Sequence, residues 1–179
     1  LGVKVDPKAA IGVAMGFFPT DRAASQKARR LLEAVCAEQG LNVAGWRDVP
    51  TDDAVLGELA AHTRPDIVQA LITAPAGEEP LAFERRLYLA RRAFERRWPR
   101  AEGTAYLASM SSRIIVYKGL MMADQMGAFY PDLRDPEYAT RFVVFHQRYS
   151  TNTMPSWERA QPFRLLAHNG EINTLQGNV

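Results

Sequence analysis

"IGVAMGFFPTDRAASQKARRLLEAVCAEQGLNVAGWRDVP" (Ile11–Pro50) changes its hydrophobic period twice, and those two changes decide the fold class. Ile11 to Phe18 is an unbroken apolar run stopped by Pro19, the pattern of a buried strand. Beyond it the apolar residues move to three- and four-residue spacing. Ala28, Leu31, Leu32, Val35 and Cys36 then share one helical face. Thr20 is expected to cap this helix, Asp21 to sit in its first turn and Gly40 to mark its end. Leu41 to Pro50 returns to a strand that runs into a loop. Strand, helix, strand in that order makes an α/β or α+β protein.

Working outward, Thr51 to Thr63 is polar and reads as loop with a turn or two of helix. Asp66 to Pro75 reads as a strand, and "AGEEP" as a turn before a second helix. There Phe83, Leu87, Ala90 and Phe94 line one face, with arginines and glutamates over the rest, the usual make-up of a solvated face. "TAYLASMSSRIIVYKGLM" (Thr104–Met121) suggests a hairpin broken around Ser111–Ser112. "ADQMGAFYPDLRDPEY" reads as loop with a short helix. "RFVVFHQRYS" and "FRLLAHNGEI" read as two closing strands, separated by the loop "TNTMPSWERAQP".

The whole chain, 1–179, reads as a single domain of globular composition, 47% apolar and 23% charged. A net charge of +2 gives no electrostatic reason for a nucleic-acid or membrane partner. No apolar run is long enough to span a bilayer, and the first residues lack a signal-peptide pattern. One cysteine excludes an internal disulfide and fits a reducing, cytoplasmic setting. The abrupt start at Leu1 and end at Val179 suggest a piece of a longer chain.

Two polar runs carry candidate chemistry. In "FVVFHQRYS" a strand would put Phe142, Val144, His146 and Arg148 on one side. Arg148 at the strand end could meet a carboxylate in a two-pronged contact, or form a surface ion pair. Ser150, Thr151, Asn152 and Thr153 add donors and are equally ordinary turn residues. Asn169–Gly170 is first a turn signal. It could also supply two converging donors, an asparagine amide and an unhindered glycine N–H, for an oxyanion. His62, His146 and His168 are too scattered for a metal set, so no metal is expected. Cys36, within an apolar helical face, reads as a small hydrophobe.

Read together, "HQRYSTNTMPSWERAQPFRLLAHNGEINTLQGN" (His146–Asn178) resembles the class II glutamine amidotransferase domain of glutamate synthase large subunits. Class II amidotransferases share a strand end of H-x-R, an aromatic, S or A, then T, followed later by H-N-G. The longer string is more particular to glutamate synthases. "GWRDVPTDDAVLGELA", "FERRLYLARR", "SSRIIVYKGLM" and "FYPDLRDP" carry the likeness back to about Ile11. The resemblance implies an α+β, N-terminal-nucleophile hydrolase fold, an αββα four-layer sandwich, incomplete at both ends. It implies that Arg148 pairs with the α-carboxylate of L-glutamine, with Thr151 beside it, and that Asn169 and Gly170 form the oxyanion hole. The implied reaction releases ammonia from glutamine for transfer to 2-oxoglutarate. FMN and an iron–sulfur cluster would lie in other domains of the large subunit, with a small subunit as a possible partner, and no cofactor would lie in this one.

That family uses a cysteine at residue 1 of the mature chain, whose own α-amino group is the base. Leu1 has no thiol, so the resemblance implies a nucleophile outside this sequence and no glutamine hydrolysis by the chain alone. The alternative is an amidotransferase-like protein without a nucleophile that binds glutamine or glutamate in a regulatory role. A third reading, a basic interaction module, would use the arginines between Arg85 and Arg100.

Overall fold

The computed structural model describes residues 3–148 and 154–163. The chain divides into two compact units, one built from 1–48 and 65–115, the other from 49–64 and 116–179. No helix among the described residues is long and apolar enough to cross a membrane.

The first unit runs β1 (Ala10–Phe18), α1 (Arg22–Glu38), β2 (Asn42–Asp48), β3 (Asp66–Ala74), α3 (Pro80–Arg97) and β4 (Tyr106–Ser111); α2 (Glu58–His62) lies in the second unit. The sheet order is β2-β3-β1-β4, every neighbouring pair antiparallel. This is the split βαβ arrangement, in which two helical crossovers interleave their strands. The strand and helix expectations for Ile11–Pro50, Asp66–Pro75 and the second helix match these elements.

Local chemistry sets the helix ends. The N-cap of α1 is Asp21, not Thr20: its carboxylate accepts from the Ala24 N–H at 2.9 Å, which a carboxylate does better than a hydroxyl. Gly40, at φ 67°, takes the left-handed turn after α1 that a side chain would resist. Glu79 caps α3 by accepting from Leu81 N–H and Ala82 N–H, and these bonds hold its carboxyl below the ordinary range.

One sheet face, with Ala14, Phe18, Val68, Ala70, Ile72, Leu107 and Met110, packs with the apolar faces of α1 and α3. Phe94 is the hinge of this core, stacked on Phe18 at 5.9 Å and on Trp98 at 6.2 Å between ring centres. A Cβ at Gly12 would come within 2.9 Å of Leu87 Cδ1, so glycine is what lets α3 lie this close to β1. Arg29 joins α1 to two strands: it pairs with Asp48 at 2.7 Å, approaches Asp66 at 3.7 Å and lies over the Trp46 ring.

The second unit joins the excursion between β2 and β3 to the later chain. It contains a 3-10 turn at Asp53–Val55, α2, a 3-10 turn at Ala123–Gln125, α4 (Met126–Phe129) and a 3-10 turn at Pro131–Arg134. Asp52 N–H donates to the Phe129 carbonyl at 2.9 Å, and Gln125 Nε2 to the Val55 carbonyl at 2.7 Å. Arg64 pairs with Asp53 at 2.8 Å.

Two expectations change. Thr104–Met121 is not a hairpin: only β4 forms, and it pairs with β1. Ser111 Oγ accepts from the N–H groups of Arg113 and Ile114, so the chain turns out of the sheet where a return strand would begin. Residues 141–148 form no strand, and Phe142, Val143, Val144 and Phe145 are all more than 70% exposed. A run apolar on both faces needs cover on both, and among the described residues it has no pairing strand. The closing strand "FRLLAHNGEI" lies almost wholly outside the described residues.

Candidate functional site

Of the four residues that the resemblance assigns to the site, only Arg148 lies among those described. It ends the extended, exposed segment that begins at Phe142, and its carbonyl is hydrogen-bonded to the Nε2 of His146. The strand-based alternation of Phe142, Val144, His146 and Arg148 therefore does not hold here. Thr151, Asn169 and Gly170 lie outside the described residues, as does His168. His62 ends α2.

What the structure does define is the loop between the two motifs. Residues 154–163 contain a turn at 157–159, and three contacts within the second unit hold it. Trp157, 3% exposed, donates from Nε1 to the Ala60 carbonyl at 3.2 Å and packs on Phe129 at 5.6 Å between ring centres. Gly119 clears room for that indole, since a Cβ there would sit 2.6 Å from Trp157 Cζ3. Third, Lys118, with no exposed surface, donates from Nζ to the carbonyls of Glu158 at 2.7 Å and Ala160 at 2.8 Å. The Lys118 ammonium also lies 4.9 Å from the centre of the Phe163 ring. Tyr130 closes the set from below, its hydroxyl donating to the Lys118 carbonyl at 2.9 Å. Burial pushes the Tyr130 phenol far above its ordinary range, so it stays a donor.

None of this was legible in the sequence. A lone lysine in "VYKGLM" reads as surface, because buried lysines are rare and the letters around it give no partner. The one available signal is the apolar company of Val116, Tyr117 and Leu120.

The structure also bears on the nucleophile. Cys36 is fully buried on α1, and burial, with the Glu33 carboxylate adding to it, pushes its thiol up to about 12. A thiol so placed is neither accessible nor ionised near neutral pH. Among the described residues no group of three or more His, Cys, Asp or Glu could hold a metal. The open hollow of about 360 Å³ bordered by Lys4, Asp6, Asn42 and Thr73 belongs to the first unit and holds none of the predicted site residues.

Comparison with known proteins converges on one family. The model of the class-II glutamine amidotransferases matches residues 1–179. The chain is 47% identical over 169 residues to ferredoxin-dependent glutamate synthase 2 of Synechocystis sp., covering 94% of this chain and 11% of the relative. It is 43% identical over 176 residues to the glutamate synthase (NADPH) large chain of Azospirillum brasilense, covering 97% of this chain and 12% of that one. The corresponding large chain of Bacillus subtilis is 42% identical over 179 residues, with 99% and 12% covered. The chain thus spans about a tenth of the length of the curated relatives it matches.

Proposed function

The chain belongs to the class II glutamine amidotransferases, and from that membership we propose that it forms the glutamine-binding part of a glutamate synthase. The observation that carries this reading is the family match along the whole chain, together with the string His146–Asn178. In this reading both compact units belong to one amidotransferase domain, an αββα sandwich whose first sheet and one helical layer are those of the first unit.

Glutamine presents an α-carboxylate, an α-amine and a side-chain amide. A guanidinium matches the carboxylate with two parallel N–H bonds, the role assigned to Arg148, with Thr151 adding a hydroxyl. Attack on the amide carbon places negative charge on its oxygen. Asn169 and Gly170 then offer the side-chain and backbone donors that bind this charge more tightly than the ground-state carbonyl. The attacking thiol is not Cys36, which lies buried and protonated on α1. It is supplied by another part of the full polypeptide. Ammonia released in this way is passed on to 2-oxoglutarate. In this reading FMN and an iron–sulfur cluster belong to other domains.

The test is glutamine hydrolysis by the full-length protein that carries this chain. The Arg148→Ala variant is expected to raise KM for glutamine by about 10- to 100-fold, the worth of a charge-assisted pair. An unchanged KM, or a wild-type protein that neither binds nor hydrolyses glutamine, overturns the reading.

A further inference from the structure

We propose that Lys118 is a positioning residue for the glutamine site: it fixes the loop that joins the carboxylate-binding motif to the oxyanion motif. The inference rests on the reading of that site given above. Four observations carry it. Lys118 is fully buried, and its ammonium donates to two backbone carbonyls of the loop. Of its two carbonyl acceptors, Glu158 lies within the turn at 157–159 and Ala160 directly follows it. The same ammonium lies against Phe163, on the stretch that leads into the second motif. Its own carbonyl is held in turn by the buried Tyr130 hydroxyl, so the clamp has a fixed base.

The physical logic is that carbonyl–ammonium bonds are charge-assisted and strengthen in a low-dielectric interior. A buried ammonium is costly, so a cheaper apolar residue would serve if packing were all that was required. Two carbonyls held at one point remove the loop's freedom to slide. Because Arg148 and Thr151 precede this loop in the sequence and Asn169 and Gly170 follow it, holding it anchors the segment through which the two motifs are joined. Small misplacements of such groups are enough to cost large factors in rate.

The experiment uses the full-length protein and the variants Lys118→Met, Lys118→Arg and Phe163→Leu. Methionine keeps the length and loses the donors; arginine restores donors; leucine removes the ring beneath the ammonium and leaves the lysine. Two readouts are taken: glutamine kinetics, and backbone amide hydrogen exchange of residues 154–163. K118M is expected to raise KM for glutamine about tenfold or more, on the scale of a misplaced binding group, and to speed exchange in the loop by more than in the strands of the first unit. K118R recovers part of both, and F163L shifts both in the same direction by a smaller factor. Unchanged KM in a folded K118M overturns the proposal. Should K118M not fold, an F163L with wild-type KM and wild-type exchange overturns it equally. The exchange readout needs no glutamine. Faster loop exchange in a protein that never hydrolyses glutamine therefore marks the failure of the functional reading, and unchanged exchange marks the failure of the clamp.

Discussion

Glu84 on α3 accepts from the Ser111 hydroxyl and from both the N–H and the hydroxyl of Ser112, at 2.9 and 2.7 Å for the latter two. Partial burial pushes its carboxyl up, but these bonds and the nearby Arg113 charge outweigh that and hold it below the ordinary value of 4.5. A carboxyl lowered on folding stabilises the native state fully above its ordinary value, and that stabilisation is lost as pH falls through the lowered value. Glu84→Gln should therefore shift the denaturant midpoint downward at neutral pH, and the two proteins should converge as the pH drops below the carboxylate range. Parallel midpoint curves from neutral to acid pH would show that the charge is not what the serines hold. Neither Glu84 nor Lys118 is legible in the sequence, for one reason: a charged letter reads as surface, and the groups that satisfy it lie 27 to 42 residues away. The ends of α1 were legible to within a residue, Gly40 at its end and Thr20 in place of Asp21 at its start, because the signals there are local.

At the scale of elements, α3 shows what periodicity captures. Phe83, Leu87, Ala90 and Phe94 are all buried, as their spacing predicts, while Tyr88 on the opposite face is half exposed. Phe94→Ala removes the ring between Phe18 and Trp98 and should destabilise by about 3–5 kcal/mol. Tyr88→Ala should cost far less on the same thermal or chemical unfolding assay, about 1 kcal/mol or less, since half of the side chain stays in water on folding. Comparable losses in the two would contradict the placement of the core. The strands show where pattern reading stops. β1 and β3 follow their apolar runs, but "RIIVYKGLM" has as many apolar residues as β3 and forms no strand, because Ser111 turns the chain out of the sheet. Phe142–Phe145 carries the strongest strand composition in the chain and likewise has no strand partner among the described residues. Composition specifies a capacity for pairing; the neighbour that realises it lies elsewhere in the chain.

For the whole molecule, the arginine-rich stretch of α3 is partly neutralised where it stands. Arg86 pairs with Glu78, Arg91 and Arg92 with Glu95, and Arg97 with Glu38 at the end of α1. With a net charge of +2 this leaves little field for a polyanion. Retention on a heparin column should accordingly be lost by about 0.15 M salt, where binding through only a few cationic contacts has collapsed. Retention well above that would revive the interaction-module reading. The strand order carries a further consequence, for the birth of the chain. β1 pairs with β3 on one side and with β4 on the other, Ala14 meeting Ala70 and Met110. At the ribosome's pace of about 5–20 residues per second, the first strand must wait some seconds for its second neighbour to emerge. Until then an apolar strand that includes Met15 and Phe17 has one bare edge. The nascent chain is thus most exposed to chaperones, and to misassembly, before β4 is made, whatever the stability of the finished fold.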